Sequence, residues 1–335
     1  MDFAPLAEVT RGGQAESLHV GAVAVVNARG ELLYRAGDPH FLTFTRSTLK
    51  PFQAMPFMRA GGPAHFGFGS KEIALMCASH SGEPTHVETV QAMLDKAGCA
   101  EHHLRCGCHV PIHYAAEDKR PPEQARFSQL HNNCSGKHAG FLAYCVQHGL
   151  PLDSYIDPAH PLQQAIRENV ARVAGVPEAG LKAGVDGCSA PNYALPLSRL
   201  AFAYARLAQG AADPEGGDLL APLFDAMTAH PELVSGTGRI DLAFMQTAPG
   251  DWVAKGGAEA VQAIGIRSAG LGIALKVADG NPRALYPAAV AVLQQLGLIG
   301  PVDATPLAPW LRPQLRNLRG LHTGEVRATV QLVKA

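Results

Sequence analysis

Small and β-branched residues dominate the stretch from Leu18 to Tyr34. There His19-Val20-Gly21-Ala22-Val23-Ala24-Val25-Val26 runs into a glycine-bearing turn at Asn27-Ala28-Arg29-Gly30 and then Glu31-Leu32-Leu33-Tyr34. That pattern predicts a β-hairpin. From about residue 47 to 230 the apolar positions take helical spacing instead. Segments near 51–60, 87–97, 136–148, 161–174, 192–209 and 218–229 are each bounded by Gly, Pro or a capping residue. Strand-like runs return at Trp252-Val253-Ala254, at 260–266 and at 272–277. A turn at Asp279-Gly280-Asn281-Pro282 then leads into a helix over about 284–296, and 325–333 alternates in the manner of an edge strand. Strands at both ends with helices between them predict an α/β (α+β) unit spanning 1–335. An antiparallel sheet lobe would come from 1–46 and 231–335 and a mainly helical lobe from 47–230, with the site in the cleft between them.

With 335 residues, 47% of them hydrophobic and 17% charged, the chain can bury a large core. Its net charge of −1 offers no basic cluster for a run of phosphates, so nucleic acid is not expected as a partner. No apolar stretch reaches the ~18 residues needed to span a bilayer. The N-terminal segment lacks the basic and apolar regions of a signal peptide, and seven cysteines form an odd set without a disulfide framework. A reducing, cytoplasmic setting is therefore expected.

Chemistry concentrates in five stretches. Ser47-Thr48-Leu49-Lys50 puts a hydroxyl and an amine at i and i+3, on one helix face, where the amine can accept the hydroxyl proton. Pro51 requires that helix to begin here, because proline is tolerated only in the first turn. Cys77-Ala78-Ser79-His80-Ser81-Gly82-Glu83-Pro84 packs a thiol, two hydroxyls, an imidazole and a carboxylate into one bounded stretch. Asn132-Asn133-Cys134-Ser135-Gly136-Lys137-His138 opens a helix. Val185-Asp186-Gly187-Cys188 and Lys255-Gly256-Gly257 complete the set.

Together these stretches resemble the class 3 L-asparaginases, the inducible, thermolabile rhizobial type, over nearly the whole chain. The resemblance implies a fold like that of serine β-lactamases and penicillin-binding proteins, and two Ser-Lys pairs: Ser47 with Lys50, and Ser79 with Lys255. It further implies a zinc site at Cys134, Lys137 and Cys188, a substrate pocket lined by Arg46, His138 and Asp186, and a homodimer. The expected reaction is hydrolysis of the side-chain amide of L-asparagine to L-aspartate and ammonia. The sequence leaves open which serine forms the acyl intermediate, and the helix-start position favours Ser47.

Simpler readings compete at each place. Cys134 and Cys188 could be inert buried thiols, Asp186 a turn residue before Gly187, and Gly256-Gly257 a flexible strand end. Cys106-Gly107-Cys108-His109 carries metal-type ligands but is read as packing or a solvent-facing loop. The alternatives for the whole chain are a glutaminase or another serine amidohydrolase of the same superfamily, and a zinc-dependent binding protein without turnover. Four activated groups argue against the last, since binding needs none of them.

Overall fold

The computed structural model describes residues 2–335. Strand β1 (Ala4–Arg11) turns at Gly12-Gly13 into β2 (Gln14–Asn27). Both glycines have positive φ, 54° and 83°, which side-chain-bearing residues rarely adopt. The hairpin expected at Leu18–Tyr34 is present as β2 and β3 (Leu32–Ala36), paired Val23↔Ala36 to Val26↔Leu32. β1 was not anticipated, because its exposed positions carry charge and its apolar run is short. A short β4 (Leu42–Phe44) and a 3-10 turn at Arg46–Leu49 then enter α1 (Lys50–Arg59), with Pro51 in its first turn as the sequence requires.

The helical region follows with α2 (Gly62–Phe66), α3 (Ser70–Met76), α4 (Pro84–Lys96), α5 (Ile112–Ala116), α6 (Ser135–Gln147) and α7 (Pro161–Ala174). The helix expected over 192–209 is divided. β5 (Lys182–Val185) and β6 (Pro191–Pro196) come first, and α8 (Leu197–Gln209) begins only after Pro196. The prolines at both ends of β6 exclude those residues from a continuous helix. β6 pairs with β4 on one side and β5 on the other, a small sheet inside the region read as helical. The chain continues through α9 (Gly217–Ala229), α10 (Pro231–Val234) and α11 (Ile240–Thr247).

β7 (Trp252–Gly257), β8 (Val261–Ile266) and β9 (Leu271–Val277) close the main sheet, and α12 (Pro282–Gln295) and α13 (Ala308–Leu311) lead to β10 (Gln314–Arg316), β11 (His322–Ala328) and β12 (Val333–Lys334). The tail read as one edge strand is thus two short strands. The order is β10-β11-β1-β2-β9-β8-β7, with β3 against β2 and β12, and every pairing is antiparallel. β8 is buried at every position, so both sheet faces are covered. α8 lies against β2, β8 and β9 although its sequence falls in the span read as the helical lobe, and α12 packs over β1, β9 and β11. Gly265 and Gly272 admit α8: a Cβ on Gly272 would stand 1.8 Å from the Ala201 carbonyl oxygen. No helix of the described residues is long and apolar enough to cross a membrane.

Candidate active site

The small sheet fixes the first serine. The Thr45 N–H donates to the Tyr193 carbonyl at 3.2 Å, and the Asn192 side chain bonds both the N–H and the carbonyl of Arg46 at 3.0 Å. These bonds hold Arg46 at φ 51°, a left-handed conformation that costs a non-glycine residue of order 1 kcal/mol. The chain therefore turns sharply into the 3-10 segment, and the Tyr204 hydroxyl of α8 secures it by donating to the Thr48 carbonyl at 2.7 Å. Ser47 emerges half-buried on the wall of a cavity of about 610 Å³.

Ser79 lines the same cavity from the loop after α3, where its N–H donates to the Val234 carbonyl at 3.0 Å. The pairing across the site differs from the expected one. Lys50 Nζ lies 2.9 Å from Ser79 Oγ, 2.5 Å from the Ala78 carbonyl oxygen and 3.3 Å from that of Asn133. Lys50 opens α1, and helical side chains slant toward the N-terminus, so its amine reaches back to the buried Ala78–Ser79 turn. Ser47 Oγ makes no side-chain hydrogen bond to either lysine.

Lys255 on β7 is fully buried, and its Nζ donates to the Gly256 carbonyl at 2.7 Å. Burial is the main influence on the amine and brings its pKa down to about 7. Lys50 and Arg239 push the same way, and Asp241 opposes them. Gly257, two residues on and so on the same face of the strand, packs on the turn that carries Ser47; a Cβ there would stand 3.0 Å from the Thr45 carbonyl oxygen. Ser47 and Ser79 thus line one cavity, with Lys50 and Lys255 buried behind its wall, and no hydrogen bond joins Ser79 to Lys255.

Two groups on this wall escaped the sequence reading. Asp241 of α11 is buried, accepts from the Gly256 N–H at 2.8 Å and from Gln262 Nε2 at 3.0 Å, and lies 3.6 Å from Lys255 Nζ. Arg239 Nη1 donates to the Ser79 carbonyl at 2.5 Å. Neither sits in a recognisable motif, and only the approach of α11 to β7 makes them part of the site.

Behind the cavity wall, Asn133 leads into a buried sulfur-nitrogen cluster. Lys137 Nζ lies 3.0 Å from Cys188 Sγ, and the Cys134 thiol donates to the Asn133 side-chain oxygen at 3.3 Å. The proximity of the two thiols is the largest influence holding the Cys188 thiol below its usual range and the Cys134 thiol above it, with Lys137 favouring the Cys188 thiolate. His138 belongs to this cluster and not to the cavity wall. Its Nδ1 is 2.6 Å from the Tyr155 hydroxyl, while its buried Nε2 has no hydrogen-bond partner. Two thiols, an amine and an orphaned imidazole nitrogen are donors suited to a cation of the zinc type. Among the described residues no group of three His, Cys, Asp or Glu is arranged to hold a metal, so such a site depends on the lysine. Cys106, Cys108 and His109 form no cluster of their own: His109 Nε2 accepts from the Asn133 N–H at 3.0 Å, and Cys108 is exposed.

Arg46 and Asp186 meet each other, Nε to Oδ1 at 2.8 Å, and line a second cavity of about 500 Å³ beside the first. Glu259 borders both cavities.

A family model described as L-asparaginase II matches residues 7–328. The chain belongs to the L-asparaginase II family. That family takes its description from the L-asparaginases, hydrolases that act on amides. No curated protein matches the chain. Among solved structures it is similar to native Mglu, with 14% identity and a TM-score of 0.45 over 84% of this chain, and it spans 65% of the length of Mglu. It is also similar to a β-lactamase from Mycobacterium bovis, with 14% identity and a TM-score of 0.35 over 82% of this chain and 94% of that one.

Proposed function

We propose that this protein hydrolyses the side-chain amide of L-asparagine to L-aspartate and ammonia through a serine ester. The observation that carries the mechanism is the 2.9 Å separation of Lys50 Nζ and Ser79 Oγ at the cavity. Both protonation states of Lys50 satisfy the same three contacts. A neutral amine gives its two N–H groups to the Ala78 and Asn133 carbonyls and accepts the Ser79 proton, whereas an ammonium donates to all three oxygens. The proton can therefore pass from Ser79 to Lys50 without rearrangement of either side chain.

Attack by Ser79 Oγ on the amide carbon forms a C–O bond and a tetrahedral oxyanion. Collapse breaks the C–N bond, and the nitrogen leaves as ammonia with the proton carried by Lys50. Water then cleaves the ester, giving aspartate and restoring the hydroxyl. Lys255, with its pKa brought down to about 7, holds a large neutral fraction at that pH and is the base assigned to the water from behind the cavity wall. Cys134, Lys137 and Cys188 are the residues that would hold zinc, with His138 beside them. Bound there, zinc would add positive charge next to the catalytic loop. A glutaminase remains the rival within the same chemistry, since one methylene is worth only about 1–3 kcal/mol of discrimination.

The test is ammonia release from L-asparagine by Ser79→Ala and Ser47→Ala. Loss of about a thousandfold or more in Ser79→Ala, with at least about a tenth of turnover kept in Ser47→Ala, is expected for Ser79 as nucleophile. The opposite ranking would transfer that role to Ser47.

A further inference from the structure

Arg239 is the only Lys or Arg side chain, among the described residues, that lines the 610 Å³ cavity. It reaches that wall on a loop fastened to the loop of Ser79. The Ser79 N–H donates to the Val234 carbonyl, Ser81 Oγ donates to the Ser235 carbonyl at 3.0 Å, and Glu83 Oε1 accepts from the Thr237 N–H at 2.8 Å. Gly236 at φ 126° makes this approach feasible, because a Cβ there would lie 2.3 Å from Ser81 Oγ. The guanidinium is thereby fixed relative to the hydroxyl that would attack. Nη1 is used on the Ser79 carbonyl, while the Nε and Nη2 protons have no protein acceptor and no carboxylate pairs with the group. Half-buried and partly unpaired, it has the donor geometry for a carboxylate.

We propose that Arg239 binds the α-carboxylate of the substrate. The inference rests on the asparaginase reading and names the group that positions the amino acid. In asparagine the carboxylate carbon and the amide carbon are three C–C bonds apart, roughly 4 Å when extended. Arg239 and Ser79 line the same cavity, so a molecule this short bound through its carboxylate keeps its amide in the cavity that holds the hydroxyl. Arg46 does not offer this arrangement, because its Nε is committed to Asp186 at a different cavity.

Two measurements on Arg239→Gln and Arg239→Lys test it. The first is calorimetric binding of L-aspartate. The wild type should bind, Arg239→Gln should bind about tenfold to a hundredfold more weakly, and Arg239→Lys should fall between, since an ammonium keeps the charge but not the fork. The second is ammonia release from L-asparagine and from β-alaninamide, which is asparagine without its α-carboxylate. Arg239→Gln should lose much more kcat/KM on asparagine than on β-alaninamide, mainly through KM. Equal losses on both amides would mean that Arg239 only braces Ser79, and would overturn the inference, as would unchanged aspartate affinity or a wild type that does not bind aspartate. If Arg239→Gln does not fold, Arg239→Lys is judged by the same readings. A wild type that releases no ammonia from asparagine defeats the asparaginase reading instead, and aspartate binding still decides Arg239.

Discussion

At the scale of single residues, the two buried lysines are held in different ways. Lys50 has three oxygen acceptors, whereas Lys255 has one carbonyl at 2.7 Å and a carboxylate at 3.6 Å, and its burial brings the pKa from 10.5 to about 7. The base is the neutral amine, so activity that depends on Lys255 should rise as pH increases through about 7. Lys255→Met should lower kcat by about a hundredfold or more and remove that limb from the pH-rate profile; an unchanged limb would assign it to another group. Stability carries the same signature. Between about pH 7 and 10.5 the unfolded chain holds more protons at this position than the native one, so the native state gains stability as pH rises through that window. The melting temperature of Lys255→Met should therefore equal or exceed that of the wild type at pH 7, and the difference should shrink by pH 9. A variant that melts lower at pH 7 would show that the Asp241 contact outweighs burial.

At the scale of elements, the site depends on how closely α8 approaches the sheet. Tyr204 on α8 secures the turn that presents Ser47, and Gly272 on β9 is the position that lets α8 come so near. Gly272→Ala would force a methyl group against the Ala201 carbonyl and the Ala205 nitrogen, which are 1.8 and 2.5 Å away. Because both are backbone atoms, the helix itself must move. A loss of about 1–3 kcal/mol or more is expected, read from the urea unfolding midpoint. Gly180→Ala, free of positive-φ strain and with open space around its Cβ, is the control for the glycine-to-alanine change alone. Equal losses in the two variants would mean that α8 packing does not limit the position.

At the scale of the whole molecule, the sulfur-nitrogen cluster links α6 to the Val185–Cys188 turn, and Asn133 joins it to Lys50. Zinc should co-purify stoichiometrically with the chain if Cys134, Lys137 and Cys188 hold it. Cys134→Ser with Cys188→Ser should remove it by elemental analysis, and chelation should lower the melting temperature of the wild type more than that of the double variant. A double variant holding as much zinc as the wild type would place the metal elsewhere. The cluster also explains why His138 is not a pocket residue: its ring is wedged between Tyr155 and the thiols, fully buried.

The alternating and helical patterns determined the β2–β3 hairpin, α1, α6, α7 and α12, because apolar periodicity reports directly which positions are buried. Local spacing marked Ser47 and Lys50 as a reactive pair, whereas Ser79, Lys255, Cys134, Lys137 and Cys188 were marked by the family resemblance that their short stretches carry. Only the tertiary structure decided their partners. Lys50 meets Ser79 and not Ser47 because a side chain at a helix start reaches back into whichever loop packs beneath it. The β4–β6–β5 sheet was hidden because its strands are short and short apolar runs do not declare a period, and β1 because Pro5, Glu8 and Arg11 break up its apolar positions. Arg239 and Asp241 carry no motif at all. Arg239 joins the site because the Val234–Arg239 loop is fastened to the Ser79 loop, 160 residues away in the chain, and Asp241 joins it because α11 folds back against β7, 15 residues on at Gly256.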